Sequence, residues 1–262
     1  MMKVVVIGSR GRIGTRLVRN LRQEDLRVFA ASSSTGVDTV TGAGLDGALE
    51  GADIVIDVSN ASPNDGAAAL RFFEASSRNL LAAARKAGVR HHVVLSIVGT
   101  DGLLASDYFL GKKVQEDLAA ASGIPFTILR STQFFEFISD VVQEGTAREI
   151  PIAPAFVQPI AGEDLADMLA DAVFSDPFNG VVEVAGPERL RLDEVAAEIA
   201  TAHEDGRRIV ADAHARYFGA ELDPHALLPG ADARIAKLRF DDWLRDSLQP
   251  LRLAVPTNVH LS

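Results

Sequence analysis

The stretch Val4-Val5-Val6-Ile7-Gly8-Ser9-Arg10-Gly11-Arg12-Ile13-Gly14 constrains this chain more than any other. A β-branched run gives way to a glycine-rich turn and then to Ile13, Leu17, Val18 and Leu21 at helical spacing, which predicts strand, tight turn and helix. Gly8 permits the turn, Gly11 lets backbone approach a pyrophosphate, and Gly14 lets the helix pack on the strand. The helix start would then offer unpaired N–H groups and its positive dipole end to an anion. With Ser9, Arg10, Arg12 and Ile13 in the same segment, the turn is a candidate dinucleotide site. The competing reading is an ordinary glycine-rich turn.

The alternation repeats along the chain. Strands are predicted at Arg27–Ala30, Asp53–Asp57, His92–Ser96 and Phe126–Arg130, with helices near Ser62–Ala87 and Ser106–Ala121 between them. Strands that are nearly all apolar and alternate with helices indicate an α/β fold, a Rossmann-type doubly wound parallel sheet covered on both faces. Beyond Arg130 the rhythm loosens. Helices are expected near Phe134–Gln143, Glu163–Phe174 and Leu192–Ala202, strands at Val157–Ile160 and Val181–Val184, and weak structure from His203 onward. The expected division is a dinucleotide-binding core over residues 1–170 and a smaller C-terminal substrate lobe over 171–262.

Composition narrows the function classes. With 47% hydrophobic and 24% charged residues the chain can bury a sizeable core. A formal net charge of -10 argues against general affinity for nucleic acid or an anionic membrane and favours a small-molecule substrate. Cysteine is absent, which excludes disulfides, thiolate metal sites and a cysteine nucleophile. No apolar run approaches the roughly 20 residues of a membrane span, so a cytoplasmic protein is expected. Helices on such a fold can pair into a homodimer, and no apolar stripe decides it.

The end of the second strand bears on the cofactor. A carboxylate is usual there when the ribose hydroxyls are free. This chain has Ser32, Ser33 and Ser34, with no carboxylate before Asp38. Serine hydroxyls and the Arg10 guanidinium suit a 2′-phosphate, so NADPH (NADP) is expected in preference to NADH. Farther along, Ser96 ends the fourth strand at the carboxyl edge of the sheet, Tyr108 opens the next helix and Lys112 lies one turn beyond. Spacing alone allows a catalytic set or a chance coincidence on one helix face.

These segments resemble the short-chain dehydrogenase/reductase superfamily and, within it, the atypical NmrA-like NAD(P)H-binding group. The resemblance runs through the Gly8, Gly11, Gly14 turn, Asp57-Val58-Ser59-Asn60, Leu95 to Gly99, and Tyr108 to Lys112. It continues through Ser122 to Phe134, Gln158-Pro159-Ile160 and Val184 to Pro187. It implies an oxidoreductase that reduces a small carbonyl or quinone compound. Tyr108 would be the general acid, Ser96 would hydrogen-bond the substrate oxygen, and Lys112 would hold the nicotinamide ribose while its charge favours tyrosinate. A nearby ammonium lowers the pKa of a tyrosine from about 10. Val58, Ser59 and Asn60 would sit beside the cofactor. Several members of the group lack the tyrosine and serve as cofactor sensors or use the lysine alone, which keeps a regulator working through a protein partner as the alternative.

Arg130, Gln133 and Phe134 are expected in the substrate pocket. Phe135 and Phe137 fit either a pocket or the core, and Arg216-Tyr217-Phe218-Gly219 could help to close the site. No metal is expected: His91 and His92 lie away from the crevice, and His203, His214, His225 and His260 lack ligand spacing.

Overall fold

The computed structural model describes residues 1–62, 65–144 and 147–248. Strand β1 (Lys3–Ile7) is buried along its whole length, as a strand covered on both faces must be. Val4 and Val6 face one apolar cluster and Val5 and Ile7 another, following the two-residue period of a strand. The chain then runs through α1 (Arg12–Leu21), β2 (Arg27–Ala31), α2 (Leu45–Leu49), β3 (Ile54–Asp57), α3 (Gly66–Ala87), β4 (His91–Ile97), α4 (Asp107–Ala120) and β5 (Phe126–Ser131). After α5 (Phe135–Glu144) come β6 (Glu149–Ile152), β7 (Phe156–Val157), α6 (Gly162–Asp171), β8 (Gly180–Ala185), β9 (Leu190–Arg191) and α7 (Leu192–Ala202). The last elements are β10 (Arg208–Ala211), β11 (Arg234–Ile235) and α8 (Phe240–Ser247).

Seven strands form one parallel sheet in the order β11-β8-β5-β4-β3-β1-β2. Helices α1 and α6 cover one face, and α2 and α3 cover the other. This is the doubly wound α/β architecture read from the sequence. The chain leaves β1 for β2 on one side and returns to place β3 on the other, so a crevice opens at the carboxyl ends of β1 and β3.

A cut at residue 170 does not match this layout. Strands β8 and β11 follow it yet lie in the central sheet, while α5 and β6 precede it yet pack with α7 and β10 in the second layer. The reason is in the side chains: Phe135 and Ile138 of α5 need the apolar faces of α7 and α8, and Phe135 stacks on Trp243 at 5.1 Å. The tail expected to be weakly structured contributes β10, β11 and α8. Short strands with charged ends carry little periodic signal, so only their pairing partners reveal them. His260 lies outside the described residues. Among the described residues no helix is long and apolar enough to cross a membrane.

The sheet and the second layer are joined around Thr132. Thr132 donates its N–H to Val184 O (3.0 Å) and its Oγ1 to Gln158 O (2.7 Å), and Gln158 donates Nε2 to Gly186 O (2.8 Å). A Cβ on Gly186 would overlap the carbonyl oxygen of Pro159. Gly186→Ala is therefore expected to cost about 3 kcal/mol or more, at or beyond the upper end of ordinary overpacking. Gly47→Ala, a helical site with nothing within 4 Å, serves as the control and should be neutral or stabilising. Equal midpoints in urea unfolding for the two variants would contradict this account of the joint.

Candidate functional site

At the crevice the glycine turn is packed against the end of β3. Gly8 has φ +77°, and a Cβ there would come within 2.7 Å of Ser59 N. Gly14 presses on the carbonyl of Gly8, so α1 can lie directly on the turn. Gly11 differs: a Cβ there would meet only Gly8 O, at 3.3 Å, and its outer side faces open space. That single contact is tighter than a Cβ usually makes, so glycine suits the turn itself as well as leaving room for a ligand. Helix α1 has neither a side-chain cap nor an acidic residue in its first turn, which leaves its N–H groups free for an anion.

Gly8, Arg10, Gly11, Arg12 and Ile13 line a cavity of about 680 Å³, together with Ser32, Ser33, Val58, Ser59, Asn60, Ser96, Tyr108, Lys112, Gln133 and Phe134. The expected cofactor and catalytic residues are therefore brought together, with three exceptions. Ser9 turns away and donates its hydroxyl to Ala31 O (2.9 Å), Gly14 is a packing residue, and Ser34 lines a neighbouring groove beside Arg10. Ser32 Oγ and Ser34 Oγ are 2.9 Å apart. Arg10 is exposed and makes no ion pair among the described residues, whereas Arg12 pairs with Asp140 of α5 at 2.6 Å. Asp38 also lines the cavity. Hydrogen bonds from the Thr41 side chain and from the Val40 and Thr41 N–H groups hold its carboxyl below the ordinary range.

Tyr108, in the first turn of α4, donates its hydroxyl to Asn60 Oδ1 at 2.9 Å. Burial pushes its pKa up to about 12, against a small opposing effect of the Asn60 bond. Lys112 does not lower it, contrary to the sequence expectation. Its ammonium points elsewhere: Nζ donates to Leu95 O (2.7 Å) and to Gln115 Oε1, and lies 4.7 Å from the centre of the Phe73 ring. Gln115 Nε2 in turn donates to Asp57 Oδ2 (2.9 Å), and Asp57 Oδ1 accepts from Ser59 N (2.9 Å). This buried chain ties α4 to the backbone that flanks the glycine turn. Burial lowers the Lys112 pKa to about 8, with Asp57 and then Glu116 opposing the shift. Ser96 Oγ is buried and has no hydrogen-bond partner.

Arg130 is not a pocket residue. Its guanidinium is forked onto Glu116 (2.9 and 2.6 Å) and reaches Asp101 (2.6 Å), which raises its pKa further. Strand alternation explains the change, since Arg130 and Ser131 point to opposite faces of β5 and Ser131 lines the cavity. Of the three phenylalanines, Phe134 and Phe137 line the cavity and Phe135 is core. Tyr217 and Phe218 form the far wall; Phe218 lies 5.0 Å from the Tyr108 ring and has φ 49° in the tight turn bridged by Tyr217 and Ala220. Phe72, Thr39 and Asp140 were not foreseen, because each is a single helix or loop position with no local pattern to mark it. His91 bonds Thr127 Oγ1 (2.9 Å), and His92 is buried with a pKa lowered to about 4 by desolvation.

A doubly wound sheet with a glycine turn at its switch point and a cavity running from it defines a nucleotide-binding α/β protein. Residues 8–176 match the model of a family described as NAD(P)H-binding, and the chain belongs to that family. Over 214 residues it is 27% identical to a (4-alkanoyl-5-oxo-2,5-dihydrofuran-3-yl)methyl phosphate reductase of Streptomyces griseus, covering 75% of this chain and 72% of the relative. It is 26% identical over 149 residues to the photosystem II assembly factor Ycf39 of Cyanophora paradoxa, covering 52% of this chain and 46% of that protein. The fold is similar to the crystal structure of a dTDP-4-dehydrorhamnose reductase from Clostridium acetobutylicum, with a TM-score of 0.69 at 16% identity over 94% of this chain and 92% of that one. It is also similar to a GDP-mannoheptose C4 reductase from Campylobacter jejuni with NADP bound, with a TM-score of 0.62 at 14% identity over 80% and 87%.

Lys112 makes stability depend on pH. The unfolded chain holds this proton up to about 10.5 and the folded chain only to about 8, so the unfolded state binds more protons between those values. Stability therefore rises with pH across that window. Relative to Lys112→Met, the wild type is expected to gain on the order of 3 kcal/mol in urea unfolding through the window. A difference that stays flat with pH would mean that the buried amine keeps its ordinary pKa.

Proposed function

We propose that the protein is an NADPH-dependent reductase of the short-chain type that acts on a small carbonyl or quinone compound. One observation carries this reading: Ser96, Tyr108 and Asn60 open into the same cavity as the glycine turn, so cofactor and substrate can share one enclosed space. The residues fit the cofactor. Gly11 leaves room for a pyrophosphate, the α1 N-terminus offers free N–H groups, and Arg10 with Ser32 and Ser33 suits a 2′-phosphate. NADPH supplies the hydride when bound. The chain supplies the proton: a tyrosine with a pKa near 12 stays protonated at neutral pH, and Asn60 holds its hydroxyl at the cavity wall. Ser96 Oγ has no hydrogen-bond partner in the protein, which leaves its proton uncommitted. Lys112 positions α4 through Leu95 and Gln115 rather than tuning the tyrosine. The similarity to a bacterial reductase supports the reading.

A second reading draws on that same lysine. Because Lys112 does not lower the Tyr108 pKa, the pocket also suits a non-catalytic NADP(H) sensor that acts through a protein partner. Turnover separates the two. NADPH oxidation is followed across quinones, aldehydes and ketones, and Tyr108→Phe is expected to lower kcat at least 100-fold while leaving NADPH affinity within about twofold. Tight NADPH binding without turnover on any compound favours the sensor. For the cofactor, Arg10→Ala is expected to weaken NADPH binding about 10- to 100-fold and leave NADH unchanged, the loss of a charged hydrogen bond being worth roughly 1.5–3 kcal/mol. Equal losses for both cofactors, or none, would remove Arg10 from the 2′-phosphate.

A further inference from the structure

Gln133 is a buried side chain that the fold leaves unpaired at both ends. Its backbone is fixed, since Ile160 N donates to Gln133 O at 2.9 Å and the adjoining Phe134 bridges Ile160. The residue lines the cavity and is only 4% exposed, yet neither Oε1 nor Nε2 has a hydrogen-bond partner among the described residues. The Tyr217 hydroxyl approaches the amide but stays outside hydrogen-bond geometry, and a single hydroxyl in any case serves one end of an amide at a time. Buried polar groups in native proteins are almost always paired, because each one left over costs about 1–3 kcal/mol. A donor and an acceptor side by side are best met by their mirror arrangement, and a second carboxamide has it.

Charge narrows the ligand further. The amide atoms are closed to solvent in the free protein, so a ligand meets them only when the Gln133 side chain turns toward the cavity, and the group that pairs with them must shed its own hydration. A carboxylate or phosphate would need a cation, and among the described residues the cavity-lining cation with neither an ion pair nor a hydrogen-bond partner for its side chain is Arg10, at the glycine turn. Of the basic residues that line the cavity, Arg12 is paired with Asp140, Lys112 is committed to Leu95 O and Gln115, and Arg10 stands at the glycine turn. Arg130, the nearest basic residue in sequence, is held by Glu116 and Asp101. Around Gln133 the cavity is lined by Phe134, Phe137, Tyr217 and Phe218, which suit a flat ring.

We infer that Gln133 is the recognition residue for an uncharged carboxamide on a flat ring, read by a pair of N–H···O bonds. The inference rests on the reading that the cavity takes NAD(P)H and a small substrate. Two molecules could bring such a group, the nicotinamide of the cofactor or an aromatic amide substrate, and separate arms of one experiment tell them apart.

In the first arm, dissociation constants of NADP+ and of its 3-acetylpyridine analogue, which lacks the amide N–H, are measured for wild type and Gln133→Leu. In the second, 4-formylbenzamide, 4-formylbenzoate and 4-methylbenzaldehyde are compared on the protein with and without NADP+. The expected result is a preference of at least tenfold for the carboxamide in one arm, which falls to about one in Gln133→Leu. Loss in the first arm assigns the cofactor and loss in the second assigns the substrate. Where the second arm carries the preference, the benzoate should bind at least tenfold more weakly than the benzamide. The inference is overturned if neither arm shows the preference, if Gln133→Leu leaves the ratios unchanged, or, where the second arm carries the preference, if the benzoate binds as well as the benzamide. Because the amide has no partner, Gln133→Leu should keep or raise the Tm of the cofactor-free protein, and a fall of more than about 3 °C would also overturn it. Should NADP+ not bind at all, the reductase reading fails, while the benzamide ratio without cofactor still decides the role of Gln133.

Discussion

The rest of the structure depends on how closely Gly8 approaches the end of β3. With a Cβ there only 2.7 Å from Ser59 N, glycine is the residue that lets the turn after β1 and the loop after β3 touch. That contact sets the floor of the crevice at the point where the sheet order reverses, and Gly14 brings α1 down onto the turn. Every group later aimed at the cavity is measured from this floor. The free N–H groups of α1 lie on one side, and Asn60, three residues beyond Asp57, lies on the other.

The buried polar chain from Asp57 through Gln115 to Lys112 holds the second half of the site. A carboxylate and an ammonium removed from water are costly unless their hydrogen bonds are satisfied. Here Gln115 stands between them, its Oε1 accepting from the lysine and its Nε2 donating to the aspartate, and Leu95 O takes another lysine proton. The arrangement fixes the rotation of α4 and so places Tyr108 beside Asn60. It also explains why the tyrosine keeps its proton: the nearest cation is bound elsewhere, and burial dominates its pKa.

Much of this was legible in the residues. The central strands, the glycine turn and α7 follow from period and turn chemistry, and the convergence of Ser96, Tyr108 and Lys112 on one cavity follows from strand ends and helix spacing. Arg130 misled because Ser131 beside it lines the pocket while its own side chain points to Glu116 of α4. The direction of the Lys112 amine was hidden for a related reason, since Gln115 and Asp57 lie 58 residues apart and meet only through the fold.

By itself the sequence determined the doubly wound sheet and the place of its phosphate-facing turn, because alternation of apolar residues and glycine conformation are local properties. Tertiary structure decided which polar side chains find partners. It gave Arg130 and Lys112 partners and left Ser96 and Gln133 without them, because burial, reach and strand face depend on neighbours distant in the chain. The far wall of Tyr217 and Phe218 has the same origin: it exists only because α5, α7 and α8 form a second apolar core that carries the turn back over the sheet edge.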